Sequence, residues 1–189
     1  MATLVLVVAA YAAMAAVTLS VGFVLGSSAL GSVDRWDESV NRWFVEQRTA
    51  FGDRLTSFAS TLANTPVVVA VAGIVAAVFA AARRWKEAAL LVVGLTLEVT
   101  VFLTATFLVD RERPQVPRLD EAPPTSSFPS GHTAAAVVLY VGLALLFSPL
   151  LRRAAARVPL FVVAGLVAIG VGIARLYRGM HHRPTSSPA

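Results

Sequence analysis

Side chains that can bind and transfer a phosphate group occur in three short polar stretches, each at the end of an apolar run. These stretches are VDRERP (109–114), FPSGHT (128–133) and ARLYRGMHH (174–182). A guanidinium group forms paired hydrogen bonds to phosphate oxygens, and an imidazole can act as a nucleophile or as a proton donor near neutral pH. Arginine and histidine together, without cysteine or a carboxylate cluster, predict phosphoryl transfer through a phosphohistidine with no metal and no cofactor.

The second stretch also has the pattern of a helix start. Serine is a common N-cap residue, and Ser130 stands just before an apolar run. Backbone N–H groups at a helix N-terminus lack intrahelical partners and bind anions. We therefore expect Ser130 and Gly131 to contact a phosphate, with His132 beside them.

The composition indicates a membrane protein. Of the 189 residues, 57% are hydrophobic and 14% are charged, against about 25% charged residues in an ordinary soluble domain. The net charge of +5 would suit a nucleic-acid partner. Basic residues fall in short loops beside apolar runs, however, so we expect the bilayer and a lipid phosphate as partners and no nucleic acid. The chain has no cysteine, which excludes disulfides and thiolate metal sites.

Long stretches with few or no charges predict an all-α, polytopic membrane helix bundle in a single domain over residues 1–189. A helix needs about 20 apolar residues to cross the hydrocarbon core. Five spans are expected, at roughly 3–26, 66–82, 88–109, 131–148 and 158–175. The first is expected to be a retained helix rather than a signal peptide, because no basic residue precedes Arg35.

The segment between the first two predicted spans mixes charged residues with tryptophan, phenylalanine and valine. Its apolar residues recur at helical spacing over residues 34–54. This pattern predicts an amphipathic helix that lies in the membrane interface, and a structured loop is the alternative. Glu98, in the middle of the third span, is either a paired packing residue or part of a polar pathway.

The basic loops predict the orientation in the membrane. The loops at 83–86 and 152–157 carry the densest positive charge, which is typical of the cytoplasmic face. The three polar stretches would then lie together on the extracytoplasmic face of the cell membrane and form a cationic pocket. A plain count of basic residues favours the opposite orientation.

The three polar stretches resemble the motifs of the type 2 phosphatidic acid phosphatase superfamily, which are K-x6-R-P, P-S-G-H and S-R-x5-H-x3-D. Arg113 and Pro114 match the end of the first motif, residues 129–132 match the second in full, and Arg175 with His181 matches R-x5-H of the third. The resemblance implies a bacterial membrane phosphatase that hydrolyses a lipid phosphomonoester or diphosphate, such as phosphatidic acid or a polyprenyl diphosphate.

The resemblance also implies a role for each matching residue. His181 would attack phosphorus and form the phosphoenzyme, with the adjacent His182 as the alternative nucleophile. His132 would protonate the leaving group. The phosphate would be held by Arg113, Arg175 and the backbone at Ser130 and Gly131.

Several positions depart from the family pattern. Thr106 stands where the motif has its lysine, and Arg111 is the candidate to replace that cation in phosphate binding. Ala174 replaces the serine of the third motif, and Thr185 stands where its aspartate is expected. Arg178 lies outside the motif, so a solvated or lipid-facing position is expected for it.

The tail PTSSPA (184–189) has the appearance of a shifted reading frame. With GC-rich codons for these residues, a shift of one base yields Asp-Val-Leu-Ala-Gly and puts the missing aspartate at position 185. We therefore hypothesise a single-base frameshift that removes this aspartate and the family's sixth helix, with a natural or engineered short tail as the alternative. Such a chain would show little or no turnover. It would then be a truncated family member that only binds lipid phosphate, and a non-enzymatic anion-binding membrane protein is the remaining alternative.

Overall fold

The fold has helices joined by turns and loops, and no strand, over the residues that the computed structural model describes, which are 2–26, 31–109, 117–120, 126 and 128–179. The α-helices are α1 (Ala2–Gly26), α2 (Gly31–Glu46), α3 (Ala50–Thr61), α4 (Thr65–Ala81), α5 (Trp85–Leu108), α6 (Gly131–Ala136), α7 (Gly142–Phe147) and α8 (Ala154–Tyr177). A π-helical turn, Val137–Val141, joins α6 to α7, and a 3-10 turn, Ser148–Leu150, follows α7. The predicted all-α class is confirmed.

Several helices are long and apolar enough to cross a membrane. Within the described part of the chain these are α5, the continuous helical segment Gly131–Leu150, and α8. Helices α3 and α4 meet at an angle of 46° and make a fourth span if the bent pair is counted as one. Within α1, Tyr11–Val24 is a shorter apolar helical stretch. The protein is an integral membrane protein of the helical type, and the number of five spans stays a prediction.

The predicted amphipathic helix over 34–54 is wrong in its continuity, because the structure has two helices there with a break after Glu46. The N–H of Thr49 donates to the hydroxyl of Tyr177 at 2.8 Å, and the Thr49 hydroxyl accepts from the N–H of Gly52 at 3.0 Å. Thr49 therefore begins α3 instead of continuing α2.

Contacts between Cα atoms divide the chain into two compact units. The first unit comprises residues 1–53, 101–129 and 175–189, and the second comprises residues 54–100 and 130–174. The prediction of a single domain stays a prediction. Each unit is described by itself.

The second unit has a core of small and branched residues. One buried cluster contains Ala63, Ala136, Ala168 and Val171, and the other contains Val68, Ala72, Leu91 and Leu139. Small side chains let neighbouring helices approach closely, which is the usual basis of helix packing in lipid. Glu98 of α5 is also buried, at 6% exposure, and both interpretations of this residue stay open.

The first unit depends on a close approach at Gly22 of α1. A Cβ atom added there would lie 2.6 Å from a methyl carbon of Val109 and 2.8 Å from the ring of Phe128. Only glycine fits at this distance, so Gly22 lets α1 contact Val109, which follows α5, and Phe128, the first residue of the FPSGHT stretch.

Candidate active site

The described residues include part of the predicted site. Ser130, Gly131 and His132 belong to the second unit and Arg175 belongs to the first. Arg111, Arg113, His181 and His182 lie outside the described residues.

Ser130 is the N-cap of the helical segment that begins at Gly131, as the sequence predicts. Its hydroxyl oxygen accepts from the N–H of Thr133 at 3.4 Å and from the Thr133 hydroxyl at 3.0 Å. These two bonds occupy the acceptor positions of the oxygen, so the hydrogen of the Ser130 hydroxyl is directed elsewhere. Backbone N–H groups in the first turn of a helix generally lack carbonyl partners within that helix. The helix start can therefore donate hydrogen bonds to an anion.

The imidazole of His132 contacts a residue that the sequence analysis missed. Its Nε2 lies 2.9 Å from the side-chain oxygen of Asn64, which is the N-cap residue of α4. A neutral or protonated imidazole donates through a nitrogen that carries hydrogen, and an amide oxygen only accepts. The contact is therefore a hydrogen bond from His132 to Asn64 when Nε2 carries the hydrogen. The two partners are 68 positions apart in the sequence, so no local pattern indicated the pair.

A second hydrogen bond holds the same break between α3 and α4. The hydroxyl of Tyr140, in the π-helical turn, donates to the carbonyl of Leu62 at 2.8 Å. Residues 62 and 64 are thus bonded to the segment 131–150 at Tyr140 and at His132.

Arg175 lies in the last turn of α8 and is 8% exposed. Its Nη1 is 3.8 Å from Oδ2 of Asp120, a distance that makes an ion pair longer than a hydrogen bond. A guanidinium held at the end of an apolar helix is suited to bind an anionic group.

Arg178 is buried, so the predicted solvated or lipid-facing position is wrong. It is 8% exposed, and its Nε donates to Oδ2 of Asp120 at 2.6 Å while Nη2 donates to Oδ1. Its Nη1 also donates to the carbonyl of Asp53 at 3.1 Å. The paired hydrogen bond to Asp120 raises the pKa of Arg178 above its ordinary value. The sequence analysis missed Asp120, because its two arginine partners lie more than 50 residues further along the chain.

The end of α8 is also bonded to the break between α2 and α3. The Nε and Nη2 of Arg48 donate to the carbonyl of Tyr177 at 3.1 and 3.0 Å, and the ring of Phe44 packs edge-on against Tyr177. A carbonyl at a helix C-terminus needs such an external donor. Burial lowers the pKa of Arg48, but a guanidinium stays charged at physiological pH. The turn that carries Arg175 is therefore held in place.

Thr106, at the position of the motif's lysine, provides no cation. Its hydroxyl oxygen is buried and has no hydrogen-bond partner among the described residues. Among the described residues of the first unit, Arg175 and Arg178 form ion pairs with Asp120.

The PAP2 superfamily model matches residues 87–184, a little more than half of the 189 residues. The matched range includes all three polar stretches. The chain belongs to the PAP2 superfamily. At the level of this family it is a membrane lipid phosphatase.

A solved structure supports the membrane fold. The chain is similar to the first transmembrane PAP2 type phosphatidylglycerolphosphate phosphatase from Bacillus subtilis, with a TM-score of 0.76 and 23% sequence identity. The similarity covers 88% of this chain and 83% of the other chain. At this identity it shows a shared fold. A search of the curated proteins finds no match.

Proposed function

We propose that this protein hydrolyses a phosphomonoester or a diphosphate of a lipid through a phosphohistidine intermediate. The observation that carries the proposal is the start of the segment 131–150, where Ser130 caps the helix and His132 is held by Asn64 within the complete P-S-G-H motif. This arrangement combines donors for a phosphate with an oriented imidazole, which are the parts needed for anion binding and proton transfer.

In the proposed first step, a ring nitrogen of His181 attacks phosphorus and a P–N bond forms. The bond from phosphorus to the leaving oxygen breaks, and that oxygen takes a proton from His132. In the second step, water attacks the phosphohistidine and gives a proton to His132. Inorganic phosphate leaves, and His181 and protonated His132 are regenerated.

Charge on the phosphate is balanced by arginine and by the helix start. Arg113 and Arg175 bind the phosphate oxygens, together with the backbone N–H groups at Ser130 and Gly131. Arg111 takes the part of the motif's lysine, which Thr106 does not supply. If Arg111→Ala impairs turnover more than Arg113→Ala does, Arg111 is the principal cation instead.

The assay for this function measures inorganic phosphate released by the purified chain in detergent. Phosphatidic acid, phosphatidylglycerolphosphate and undecaprenyl diphosphate are compared as substrates, because the motif residues recognise the phosphate and not the rest of the lipid. Turnover that vanadate inhibits and EDTA leaves unchanged supports the mechanism. Turnover that EDTA abolishes contradicts it, since it would require a metal ion.

A second candidate function is binding of lipid phosphate without turnover. The specific observation that favours it is Thr185, which stands where the motif has the aspartate that would orient His181. In this case vanadate or a short-chain phosphatidic acid raises the temperature of unfolding through ligand binding, while no phosphate is released from any of the three substrates.

We further propose that the site lies on the extracytoplasmic face of the cell membrane, as the basic loops at 83–86 and 152–157 indicate. The chain has no cysteine, so single cysteines report their location directly. Ser127→Cys is expected to react with an impermeant maleimide in intact cells, and Ala155→Cys is expected to react only after lysis. The reverse labelling would put the site in the cytoplasm.

A further inference from the structure

We propose that Asn64 is a positioning residue for His132, which holds the imidazole with its hydrogen on Nε2 and directs proton exchange with the leaving group to Nδ1. This inference rests on the proposed function of His132 as the proton donor. It adds a residue from outside the three motifs and specifies which ring nitrogen does the chemistry.

The first support is the use of the Asn64 side chain. Asparagine at an N-cap position ordinarily accepts a hydrogen bond from the first turn of its own helix. Asn64 has the backbone conformation of an N-cap, with φ −66° and ψ 141°, but its side chain makes no capping bond to α4. The side-chain oxygen lies instead 2.9 Å from Nε2 of His132. Ser130, in contrast, caps its own helix in the usual way.

The second support is that the backbone of Asn64 is held independently of His132. The N–H of Asn64 donates to the carbonyl of Thr61 at 3.1 Å, and the carbonyl of Asn64 accepts from the N–H of Val68 at 3.0 Å. A proline in the first turn of α4 sets the point at which that helix begins. These contacts on Asn64 itself keep the amide oxygen aimed at the ring.

The chemical consequence follows from the two ends of the amide, of which the oxygen accepts hydrogen bonds and the nitrogen donates them. The carbonyl oxygen has no proton to give, so it can only accept the hydrogen on Nε2. Nδ1 is then the nitrogen that loses its proton to the leaving oxygen and regains one from water. A side chain that fixes the tautomer and the ring orientation of a catalytic histidine raises turnover without touching the substrate.

The direct test is the tautomer of His132 in the full chain in detergent micelles. The protein is labelled with ¹⁵N-histidine, and the His132 signals are assigned by their loss in His132→Gln. We expect neutral His132 to carry its hydrogen on Nε2, and we expect Asn64→Leu, of similar volume but without an acceptor, to shift the population toward the Nδ1–H form. A wild-type His132 that carries hydrogen on Nδ1, or a tautomer that Asn64→Leu leaves unchanged, overturns the proposal.

The kinetic test uses the identity of the leaving group. A poor leaving group such as an alkyl alcohol needs the proton from His132, whereas a nitrophenolate leaves with little assistance. Asn64→Leu should lower kcat for an alkyl phosphate by roughly tenfold to a hundredfold, which is part of what a general acid contributes. It should lower kcat for a nitrophenyl phosphate by less than about threefold. Equal losses on both substrates would indicate a merely structural residue and overturn the proposal.

Two further variants separate positioning from folding. Tyr140→Phe removes the other hydrogen bond to the same break and is expected to leave the tautomer and the ratio of the two kcat values unchanged. Asn64→Asp keeps an acceptor oxygen, so it should retain the Nε2–H form if Asn64→Leu fails to fold. Absence of turnover in the wild type would contradict the proposed function alone, because the tautomer measurement still supports or overturns the role of Asn64.

Discussion

The start of the segment 131–150 and the end of α8 both carry motif residues, but they are held by different forces. At the first, Ser130 and His132 are half-buried and make hydrogen bonds to the uncharged side chains of Thr133 and Asn64. At the second, Arg175 and Arg178 are buried and paired with the carboxylate of Asp120. Hydrogen bonds to uncharged partners at partly accessible groups set orientation, whereas buried ion pairs set the position of charge.

This difference predicts different responses to mutation. An interaction that orients a half-buried group contributes about 1 kcal/mol to stability, so changes there should affect turnover more than folding. Removal of one partner from a buried ion pair leaves an uncompensated charge and destabilises the fold. Changes at the end of α8 should therefore lower both turnover and stability.

The largest effect is expected for His132→Gln. Loss of the proton donor should lower kcat by roughly 10²–10⁴-fold, measured as phosphate release. The midpoint of thermal unfolding should stay close to that of the wild type, because glutamine can also hydrogen-bond to Asn64. A large fall in this midpoint would contradict the difference between the two helix ends, since it would show that His132 also stabilises the fold.

Arg175→Ala should lower kcat/KM, and the decrease should correspond to a loss of about 2–4 kcal/mol of transition-state stabilisation. The loss of an oxyanion donor has an effect of this size. The free energy of unfolding should fall as well, because Asp120 loses a cation that is paired with it. Arg157→Ala is the matched control, since Arg157 is an exposed arginine near the start of the same helix. Unchanged turnover in Arg175→Ala would remove Arg175 from the phosphate site.

Arg178→Met should lower the free energy of unfolding by about 2–3 kcal/mol. This value is below the full figure for a buried pair because the Asp120 side chain is 29% exposed. Chemical denaturation in detergent measures it, with Arg157→Met as the control. If the variant loses turnover while its stability is unchanged, Arg178 acts on the substrate and the assignment of this pair to structure is wrong.

The smallest effect is expected for Thr133→Val, which removes the hydroxyl that donates to Ser130. The free energy of unfolding should fall by about 0.5–1.5 kcal/mol, the net value of one hydrogen bond. The backbone bond from Thr133 to Ser130 remains, so the cap should persist and turnover should change little. A loss of turnover comparable to that of His132→Gln would show that the hydroxyl pair itself orients the site.

The sequence was informative where a residue's partner is local. The helical membrane class followed from charge-poor runs of spanning length, and the capping role of Ser130 followed from its place just before an apolar run. The superfamily followed from three ordered motifs, which the family match over residues 87–184 bears out. The continuity of the helix over 34–54 was predicted wrongly because Thr49 is bonded to Tyr177, 128 residues away.

The sequence by itself determined the class of the protein, its family and the chemical types of the candidate site residues, since these depend on composition, spacing and local helix geometry. Only the tertiary structure decided that Asn64 bonds to His132 and that Asp120 bonds to Arg178. It also buried Arg178, which the sequence analysis expected to be exposed. Each of these pairs joins segments more than 50 residues apart. A polar side chain carries no mark of its distant partner, and only the packing of the helices brings donor and acceptor within hydrogen-bond distance.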